Sequence, residues 1–499
     1  MEPLFEIEID PPAKGSRRSA DNVFGQLKSA IVDGRLARGA KLPPTRCAES
    51  LFGISRNTAG RVYEKLEREG FVVTRHGSGS YVASTRAAPS DLGARTPADS
   101  RRRRINGFWT DSHVIASMNF WRDAASAPEQ PTNLNTAAID FRPVMVDSSL
   151  FPFDRFRQSS AKQLRSLEKR RTSGRSLEGN QGSYPLRRAI SQHLAVTRAI
   201  VCHEDQVIVT SGAQQAFDLL ARVLVVPNET VVAFEDPGYP PMRMNFAAAG
   251  AKLVPVGVDA QGLIVEQLPE DAGIICVTPS HQFPLGISMS PRRRKALLDF
   301  ARQRGAVILE DDYDGEFRHE HAPIEALRGA DTADVVCHVG TFSKSMFPAL
   351  RLGFVVAPKW LTPTLVTAKN CMDWHCSMPL QRAVAGFIED GHLWRHVRKM
   401  RALYKQRRDL MLELLQSGFS DWLNPLPSQY GMHIAAVAAP SAGLEAATAK
   451  LRRHSINIHT LKRYFHGPET QHGLIFGYGS VDLAQIRDGL AKLYDALGS

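Results

Sequence analysis

The chain has 499 residues, of which 43% are hydrophobic and 23% charged, so it is a globular sequence too long for one small domain. No apolar run reaches the length of a membrane span, the acidic N-terminus lacks signal-peptide architecture, and six scattered cysteines indicate reduced thiols; these features exclude a membrane or disulfide-framework protein and predict a cytoplasmic one. The net charge is +11, and residues 1–104 hold 19 Lys/Arg against 12 Asp/Glu, which points to a polyanionic partner, with a solvated basic surface as the alternative.

The N-terminal segment 17–84 predicts three helices followed by a hairpin. Apolar residues recur at helical spacing from Val23 to Ile31, and Thr45 can cap a short helix that ends at Phe52. Ser55 can cap a third helix, after which two short strands flank a glycine-rich tip. A short helix, a tight turn and a helix with basic and amide side chains at its start form the helix-turn-helix arrangement, which predicts a DNA-binding domain.

The early side chains of the third helix are placed to reach base edges, while hydroxyls at helix starts hold phosphates. The alternative is a small helical cap with an ordinary charged face. Gly60, in the middle of this helix, should cost roughly 1 kcal/mol of helix propensity. The candidate DNA contacts are Thr45, Arg46, Ser55, Arg56, Asn57, Thr58, Arg61, Lys65, His76 and Gly77.

Residues 85–137 have poor periodicity and are rich in Ser, Ala, Pro, Thr and Asn, which indicates a long linker. Its run Arg101–Arg104 could touch DNA phosphates, but such runs are more often simply solvated.

From residue 138 to residue 499 the sequence alternates short apolar strands with helical stretches. This alternation predicts an α/β domain with a mostly parallel, helix-covered sheet, whose ligands bind at the carboxyl ends of the strands. The apolar strands are Val207–Val209, Val231–Ala233, Ile274–Val277, Val307–Leu309 and Val335–Val336.

Several polar motifs follow these strands. The turn before Ala213 and Gln214 suits a phosphate, although a plain helix cap would explain it as well. Tyr239 could stack on a flat ring or simply pack in a turn. The acids Glu310–Asp312 precede Tyr313, so that a carboxylate could face a pyridinium nitrogen; a metal site is the alternative.

Lys344 ends the run Gly340-Thr341-Phe342-Ser343-Lys344, and Arg351 follows seven residues later. A lysine placed after a buried strand, near hydroxyls and a guanidinium, is what a Schiff base to pyridoxal phosphate requires. Cys371, His375 and Cys376 are too crowded for a usual zinc spacing, so no metal site is expected.

Two resemblances cover nearly the whole chain outside the linker. The strings from Leu42-Pro43 through Ser55-Arg56-Asn57-Thr58 to Ser80-Tyr81-Val82 resemble the winged helix of GntR regulators. The strings SGAQQAF, EDPGY, PSHQFPLG, EDDYDGEF and GTFSKSMFPALRLG resemble fold-type-I pyridoxal-phosphate enzymes of the aminotransferase kind. Together they resemble the MocR-type (GabR-like) transcription regulators.

The resemblance implies roles for individual residues. Lys344 would form the Schiff base, Asp311 would pair with the pyridine nitrogen, Tyr313 would contact the phenolic oxygen, and Tyr239 would lie against the ring. It also implies a homodimer with winged helices exchanged across it. The phosphate would lie among Ala213, Gln214, Thr341, Ser343 and Arg351.

The chain departs from the aminotransferase pattern at three points. Phe283 stands where an asparagine usually bonds the phenolic oxygen, and Leu177 stands where a tyrosine usually reaches the neighbouring subunit's phosphate. The strand Leu474–Gly479 lacks the arginine that holds a substrate carboxylate, for which Arg463 is a candidate replacement. These losses impair turnover more than cofactor binding, because transamination needs a clamped substrate.

We therefore expect a regulator that binds operator DNA and senses an amine, an amino acid or pyridoxal phosphate itself, with at most slow transamination. The alternatives are a working aminotransferase with a DNA-binding appendage, and a DNA-binding protein whose large domain is only a dimerisation scaffold.

Overall fold

The computed structural model describes residues 9–11, 19–75, 77–83, 106–111, 114–115, 139–169, 179–319, 325–439 and 443–498. Contacts between residues divide the chain into two compact units, residues 1–105 and 106–499. Most of the predicted linker, together with His76 and Leu177, lies outside the described residues. Among the described helices, none combines the length and the apolar character that crossing a lipid bilayer requires.

The N-terminal unit has the predicted three helices and hairpin. A 3-10 turn at Thr45–Cys47 precedes the second helix, so this helix is shorter than the sequence pattern indicated. The elements are α1 (Ser19–Val32), α2 (Ala48–Phe52), α3 (Arg56–Arg68), β1 (Val72–Arg75) and β2 (Gly79–Val82).

Helix α3 is fixed at its start and along its inner face. Ser55 caps it by accepting a hydrogen bond from the Thr58 N–H at 3.2 Å, as predicted. Its apolar residues at helical spacing are buried, and the Tyr63 hydroxyl donates to the Pro43 carbonyl at 2.7 Å. At its end, Glu67 accepts from the Thr74 N–H at 2.9 Å, which ties β1 to the helix. The outer face of α3 is thereby held at a defined orientation within this unit.

The large unit is built on an eight-stranded sheet in the order β4-β11-β10-β9-β8-β5-β6-β7. Strands β4, β5, β6, β8, β9 and β10 run in the same direction, whereas β11 and β7 run antiparallel to their neighbours. The mostly parallel sheet was predicted; the antiparallel insertion of β11 was not. The strands are β4 (Val207–Thr210), β5 (Val231–Asp236), β6 (Lys252–Asp259), β7 (Gly262–Leu263), β8 (Ala272–Val277), β9 (Val307–Asp312), β10 (Val336–Thr341) and β11 (Gly353–Val356).

Helices accompany this sheet along the chain. Strands β4, β10 and β11 are buried along their whole length, and β5 and β9 are buried except at their last residue, so they contain nearly continuous apolar runs rather than alternating ones. The helices are α4 (Phe153–Lys169), α5 (Tyr184–Arg198), α6 (Ala213–Leu224), α7 (Pro240–Ala248), α8 (Pro291–Arg304), α9 (Leu327–Ala330), α10 (Thr362–Asp373), α11 (Met378–Glu389) and α12 (His392–Gly418).

A second sheet, in the order β12-β13-β16-β15, follows towards the C-terminus. The short strand β3 pairs in parallel with β14, which joins the start of the unit to its C-terminal part. The remaining elements are β3 (Ile139–Asp140), β12 (Leu423–Pro425), β13 (His433–Ala438), α13 (Leu444–Arg453), β14 (Ile456–Asn457), β15 (His459–Thr460), β16 (Gly473–Gly477) and α14 (Leu483–Gly498).

The parallel strands bring the predicted motifs to one edge of the large sheet. Strands β4, β5, β9 and β10 end immediately before Ser211, Pro237, Tyr313 and Phe342, respectively. Because parallel strands end at the same edge, the residues that follow them converge there.

Candidate functional site

A cavity of about 180 Å³ lies at this edge of the sheet. All nine residues predicted to bind a cofactor line it, together with three residues not predicted to do so. Its lining is Val144, Ala213, Gln214, Tyr239, Phe283, Asp311, Tyr313, Thr341, Ser343, Lys344, Pro348 and Arg351.

Lys344 lies in the turn after β10. The Thr341 hydroxyl accepts from the Ser343 N–H at 3.2 Å and so holds this turn. The Lys344 ammonium donates to the carbonyl oxygen of Val144, two hundred residues earlier in the chain. Burial, opposed by Asp314 and assisted by Arg351, lowers the pKa of Lys344 to about 8. Near neutral pH roughly a tenth of this amine is therefore uncharged and nucleophilic, far more than for an ordinary lysine.

Asp311 lies on β9 and is buried, and its Oδ1 atom has no hydrogen-bond partner within the described residues. Burial raises the pKa of this carboxyl group well above its ordinary value, and the nearby Asp312 and Asp314 raise it further. A buried acceptor without a partner is costly, so a cationic N–H group of a ligand would stabilise it.

The other two acids of the triplet have separate partners. Glu310 accepts from the Leu327 N–H at 2.7 Å and lies 3.0 Å from Nδ1 of His338. Asp312 pairs with Arg198 at 2.6 Å. The three carboxylates therefore do not converge on one point, as a shared metal ion would require.

One end of the cavity is suited to an anion. Helix α6 begins at Ala213, and its preceding glycine, Gly212, has φ +87°. The Arg351 guanidinium donates to the Ser211 carbonyl at 3.2 Å, and a Cβ atom on Gly212 would approach that guanidinium to 3.4 Å. Free N–H groups at a helix start, a guanidinium and the hydroxyls of Thr341 and Ser343 are the donors that a phosphate needs.

Aromatic side chains form another wall. Phe283 packs edge-on against both Tyr239 and Tyr313, with ring centroids 5.5 Å apart in each pair. Its position in the lining agrees with the expectation that a phenyl ring replaces an amide donor here. Val144 and Pro348 were missed: Val144 lies two hundred residues from Lys344, whereas Pro348 follows Lys344 by four residues in the same motif and could have been included.

The candidate carboxylate ligand Arg463 is not among the cavity-lining residues. Arg463 is half-buried, and its Nη1 atom lies 2.7 Å from Nε2 of His459. The other ring nitrogen of His459, Nδ1, lies 2.7 Å from the Tyr464 hydroxyl. Arg351 is the one arginine among the described residues that line the cavity.

The candidate DNA contacts gather on the N-terminal unit. Arg46, Ser55, Arg56, Asn57 and Arg61 are exposed, and Thr45 and Thr58 are half-buried. At the hairpin tip, Gly77 is exposed with φ +74°. This surface combines exposed guanidinium groups with an amide at the start of a helix, as base and phosphate recognition requires.

Lys65 differs from the other candidates. Its ammonium pairs with Asp21 at 2.9 Å and lies 4.4 Å from the centre of the Phe24 ring, so it is directed towards α1. Because its ammonium group is already paired, Lys65 contributes to the packing of α1 on α3 rather than presenting a free charge. An exposed ion pair of this kind adds about 0–1 kcal/mol to the stability of the fold.

Comparison with known proteins agrees with this architecture. Residues 19–82 match the gntR family of bacterial regulatory proteins, and residues 137–469 match the class I and II aminotransferases. The structure of kynurenine aminotransferase from Pyrococcus horikoshii aligns with a TM-score of 0.69 and 23% identity, covering 80% of this chain and 98% of that one, which shows a shared fold.

Two curated regulators match almost from end to end. The probable rhizopine catabolism regulatory protein MocR of Rhizobium meliloti is 33% identical over 95% of this chain and 92% of its own length. The pyridoxine biosynthesis transcriptional regulator PdxR of Corynebacterium glutamicum is 28% identical over 95% of this chain and 94% of its own. The chain therefore belongs to the MocR-type transcriptional regulators, in which a GntR winged helix is joined to a fold-type-I aminotransferase domain.

Proposed function

We propose that this regulator binds pyridoxal phosphate in the cavity around Lys344 and binds operator DNA through the exposed face of α3. The observation that carries the proposal is the convergence of Lys344, Asp311 and Arg351 on one cavity, each from a different segment of the chain.

The residues of the cavity match the parts of this cofactor. Asp311 offers a buried, unpartnered carboxylate oxygen to the pyridine N–H. Arg351, the hydroxyls of Thr341 and Ser343, and the start of α6 offer donors to the phosphate. Lys344 offers an amine that is partly uncharged near neutral pH. When bound, pyridoxal phosphate supplies an aldehyde that condenses reversibly with amines, together with an electron-withdrawing ring.

The cavity supports sensing over efficient transamination. Arg351 lies at the phosphate end, and Arg463 is engaged by His459, so within the described lining no second guanidinium is left to clamp a substrate carboxylate. A bound amine would then lack the fixed register that proton transfer needs. We propose that the effector is an amine, an amino acid or pyridoxal phosphate itself, and that its binding shifts the population of DNA-binding states.

We further propose a homodimer with exchanged winged helices, which would recognise two operator half-sites. Support comes from the GntR match alone, and light scattering of the protein with and without DNA measures the stoichiometry directly.

The test is titration of the purified protein with pyridoxal phosphate, followed by visible absorption. Saturable binding with a new visible band, absent in Lys344→Ala, is the expected result. Binding that is equally tight and spectrally identical in Lys344→Ala would refute the assignment of this lysine. No binding at all would favour a large domain that serves only as a dimerisation scaffold.

A further inference from the structure

We infer that His281 and Asp314 form a buried positioning pair for Tyr313, which keeps the tyrosine's hydroxyl proton available to the ligand in the cavity. The inference rests on the proposed cofactor site and assigns a function to two residues that do not line the cavity themselves.

The geometry brings three polar groups to one atom. The Tyr313 hydroxyl oxygen lies 2.8 Å from Nδ1 of His281, and Oδ2 of Asp314 lies 3.0 Å from the same nitrogen. The tyrosine hydroxyl is also 3.1 Å from the backbone carbonyl oxygen of His281. All three side chains are buried, so water does not compete for these bonds.

The valence of a ring nitrogen limits what these groups can do. Nδ1 of an imidazole either carries one proton or offers one lone pair. If it carries the proton, it donates to Asp314; if it does not, a protonated Asp314 donates to it. In both arrangements Asp314 competes with Tyr313 for Nδ1, so the acceptors left for the Tyr313 hydroxyl proton are the His281 carbonyl at 3.1 Å and a ligand oxygen in the cavity.

Burial disfavours a charge on either member of the pair. Burial lowers the pKa of His281 to about 3, so the ring is neutral. Burial and then Asp312 raise the pKa of Asp314, whereas Lys344, Arg198 and the Met432 N–H oppose that rise. The titratable groups that interact electrostatically with the pair are Arg198, Asp311, Asp312, Tyr313, Glu316, His319, Lys344, His433 and Tyr478.

Tight packing fixes the His281 ring. A Cβ atom on Gly431, where φ is +81°, would lie 2.1 Å from the ring and 2.4 Å from Oδ2 of Asp314. On another side, a Cβ atom on Gly286 would lie 3.2 Å from Nε2. The His433 ring packs against His281 with centroids 4.5 Å apart. A side chain at position 431 would collide with the imidazole, and one at position 286 would press against it.

The pair matters because Phe283 cannot donate a hydrogen bond. In the aminotransferases that this chain resembles, an amide side chain and a tyrosine hydroxyl both contact the phenolic oxygen of the cofactor. In this cavity only the Tyr313 hydroxyl of that pair is present. A donor to that oxygen stabilises its negative charge and lowers the pH at which the bound chromophore loses its proton.

The test measures this pH midpoint from the visible spectrum of the loaded protein. Tyr313→Phe is expected to raise the midpoint by about one unit, and Asp314→Ala and His281→Gln to raise it by a smaller amount. In the Tyr313→Phe background, neither second substitution should shift it further. Full additivity of the shifts would overturn the inference, since the pair would then act independently of Tyr313.

His459→Gln is the matched control. His459 is also buried and its Nδ1 also contacts a tyrosine hydroxyl, that of Tyr464 at 2.7 Å, but that tyrosine does not line the cavity. The midpoint of His459→Gln should equal that of the parent. A shift in His459→Gln as large as that in Asp314→Ala would show that packing alone moves the midpoint, and would overturn the inference.

Two further outcomes are separable. A parent protein without a visible band contradicts the proposed cofactor site, whereas a band with unchanged midpoints in the variants contradicts only the positioning pair.

His281, Asp314 and His433 also have ligand atoms within 4.8 Å of one another, as a metal site would. Stoichiometric zinc in the purified protein, lost in Asp314→Ala, would replace the hydrogen-bonded pair by a metal centre. If His281→Gln does not fold, Asp314→Ala carries the test.

Discussion

Asp311 has a buried carboxyl oxygen for which the described residues supply no hydrogen-bond partner. This oxygen should strengthen the binding of a ligand that carries an N–H group, but it should destabilise the ligand-free protein. We predict that Asp311→Asn weakens pyridoxal phosphate binding by about 10- to 100-fold, because a neutral amide cannot pair with a pyridinium. The same change should raise the melting temperature of the ligand-free protein, since it removes a buried acid whose ionisation is costly. Equilibrium dialysis and thermal unfolding measure the two effects.

The pH dependence follows from the same residue. Because the pKa of Asp311 is raised in the folded protein, its contribution to stability is present below its unfolded pKa and is lost as the pH rises towards the folded value. Asp311→Asn should therefore reduce the loss of ligand-free stability on going from pH 4 towards neutrality. As a control, Asp312→Asn should lower stability, because it leaves Arg198 buried without its ion-pair partner.

Helix α3 offers a test at the scale of the element. Gly60 lies in its interior with ordinary helical backbone, and a Cβ atom there would meet nothing within 4 Å. We predict that Gly60→Ala raises the free energy of unfolding of the N-terminal unit by about 1 kcal/mol. Gly70→Ala is the matched control: its Cβ is equally unobstructed, but its φ of +79° should make the change destabilising. Equal effects of the two substitutions would contradict the argument.

The two ends of α3 should differ in their effect on DNA binding. Arg56 is exposed at its start, whereas Lys65 is paired with Asp21. We predict that Arg56→Ala costs about 1–3 kcal/mol on the operator if it reads a base, and that Lys65→Ala costs less than 1 kcal/mol. Fluorescence anisotropy with operator and scrambled DNA separates base from phosphate contact, since a phosphate contact weakens both equally. An unchanged operator affinity in Arg56→Ala would remove this residue from the interface.

Elements with strong local patterns could be predicted from the sequence, and contacts between distant segments could not. The buried strands β4, β5, β8, β9 and β10 have continuous apolar runs, and each is followed by the motif that reaches the cavity. The antiparallel β11 has the same composition as its parallel neighbours, so its direction leaves no local signal. The contact of Val144 with Lys344 spans two hundred residues, and no periodicity encodes it.

The sequence shows where basic residues cluster, but it does not show whether their side chains face solvent or the protein interior. The sequence of α12 contains a run of basic residues for which a second DNA-contacting patch is one interpretation and a solvated or dimer-facing surface the favoured one. These residues are Arg395, Arg398, Lys399, Arg401, Lys405, Arg407 and Arg408. In the structure Arg407 is buried and donates to the Gly479 carbonyl at 2.9 Å, and Arg408 donates to the Ser428 carbonyl at 2.6 Å. Guanidinium groups can satisfy buried carbonyls as well as they satisfy phosphates, so composition alone cannot distinguish the two uses.

For the whole molecule, the division into two compact units implies that the operator surface and the cavity can be disabled separately. We predict that Lys344→Ala abolishes the visible band while leaving the operator affinity of the ligand-free protein within about threefold, or roughly 0.7 kcal/mol. Absorption and anisotropy on the same preparation measure both. A complete loss of DNA binding in this variant would contradict the separation of the two sites.

Communication between the two units can be tested by reciprocity. If pyridoxal phosphate or an amine changes the operator affinity by some factor, saturating operator must change the affinity for that ligand by the same factor, because both describe one coupling free energy. A coupling of about 1–3 kcal/mol, or 5- to 150-fold, is the expected range for a regulator. Titrating ligand with and without operator, and operator with and without ligand, gives the two factors independently. In Lys344→Ala the factor for an amine should fall to one, since the amine then has no lysine to displace. A parent protein whose operator affinity is the same at every ligand concentration would leave the winged helix uncoupled from the cavity, and the sensing function would be wrong even if the cofactor binds.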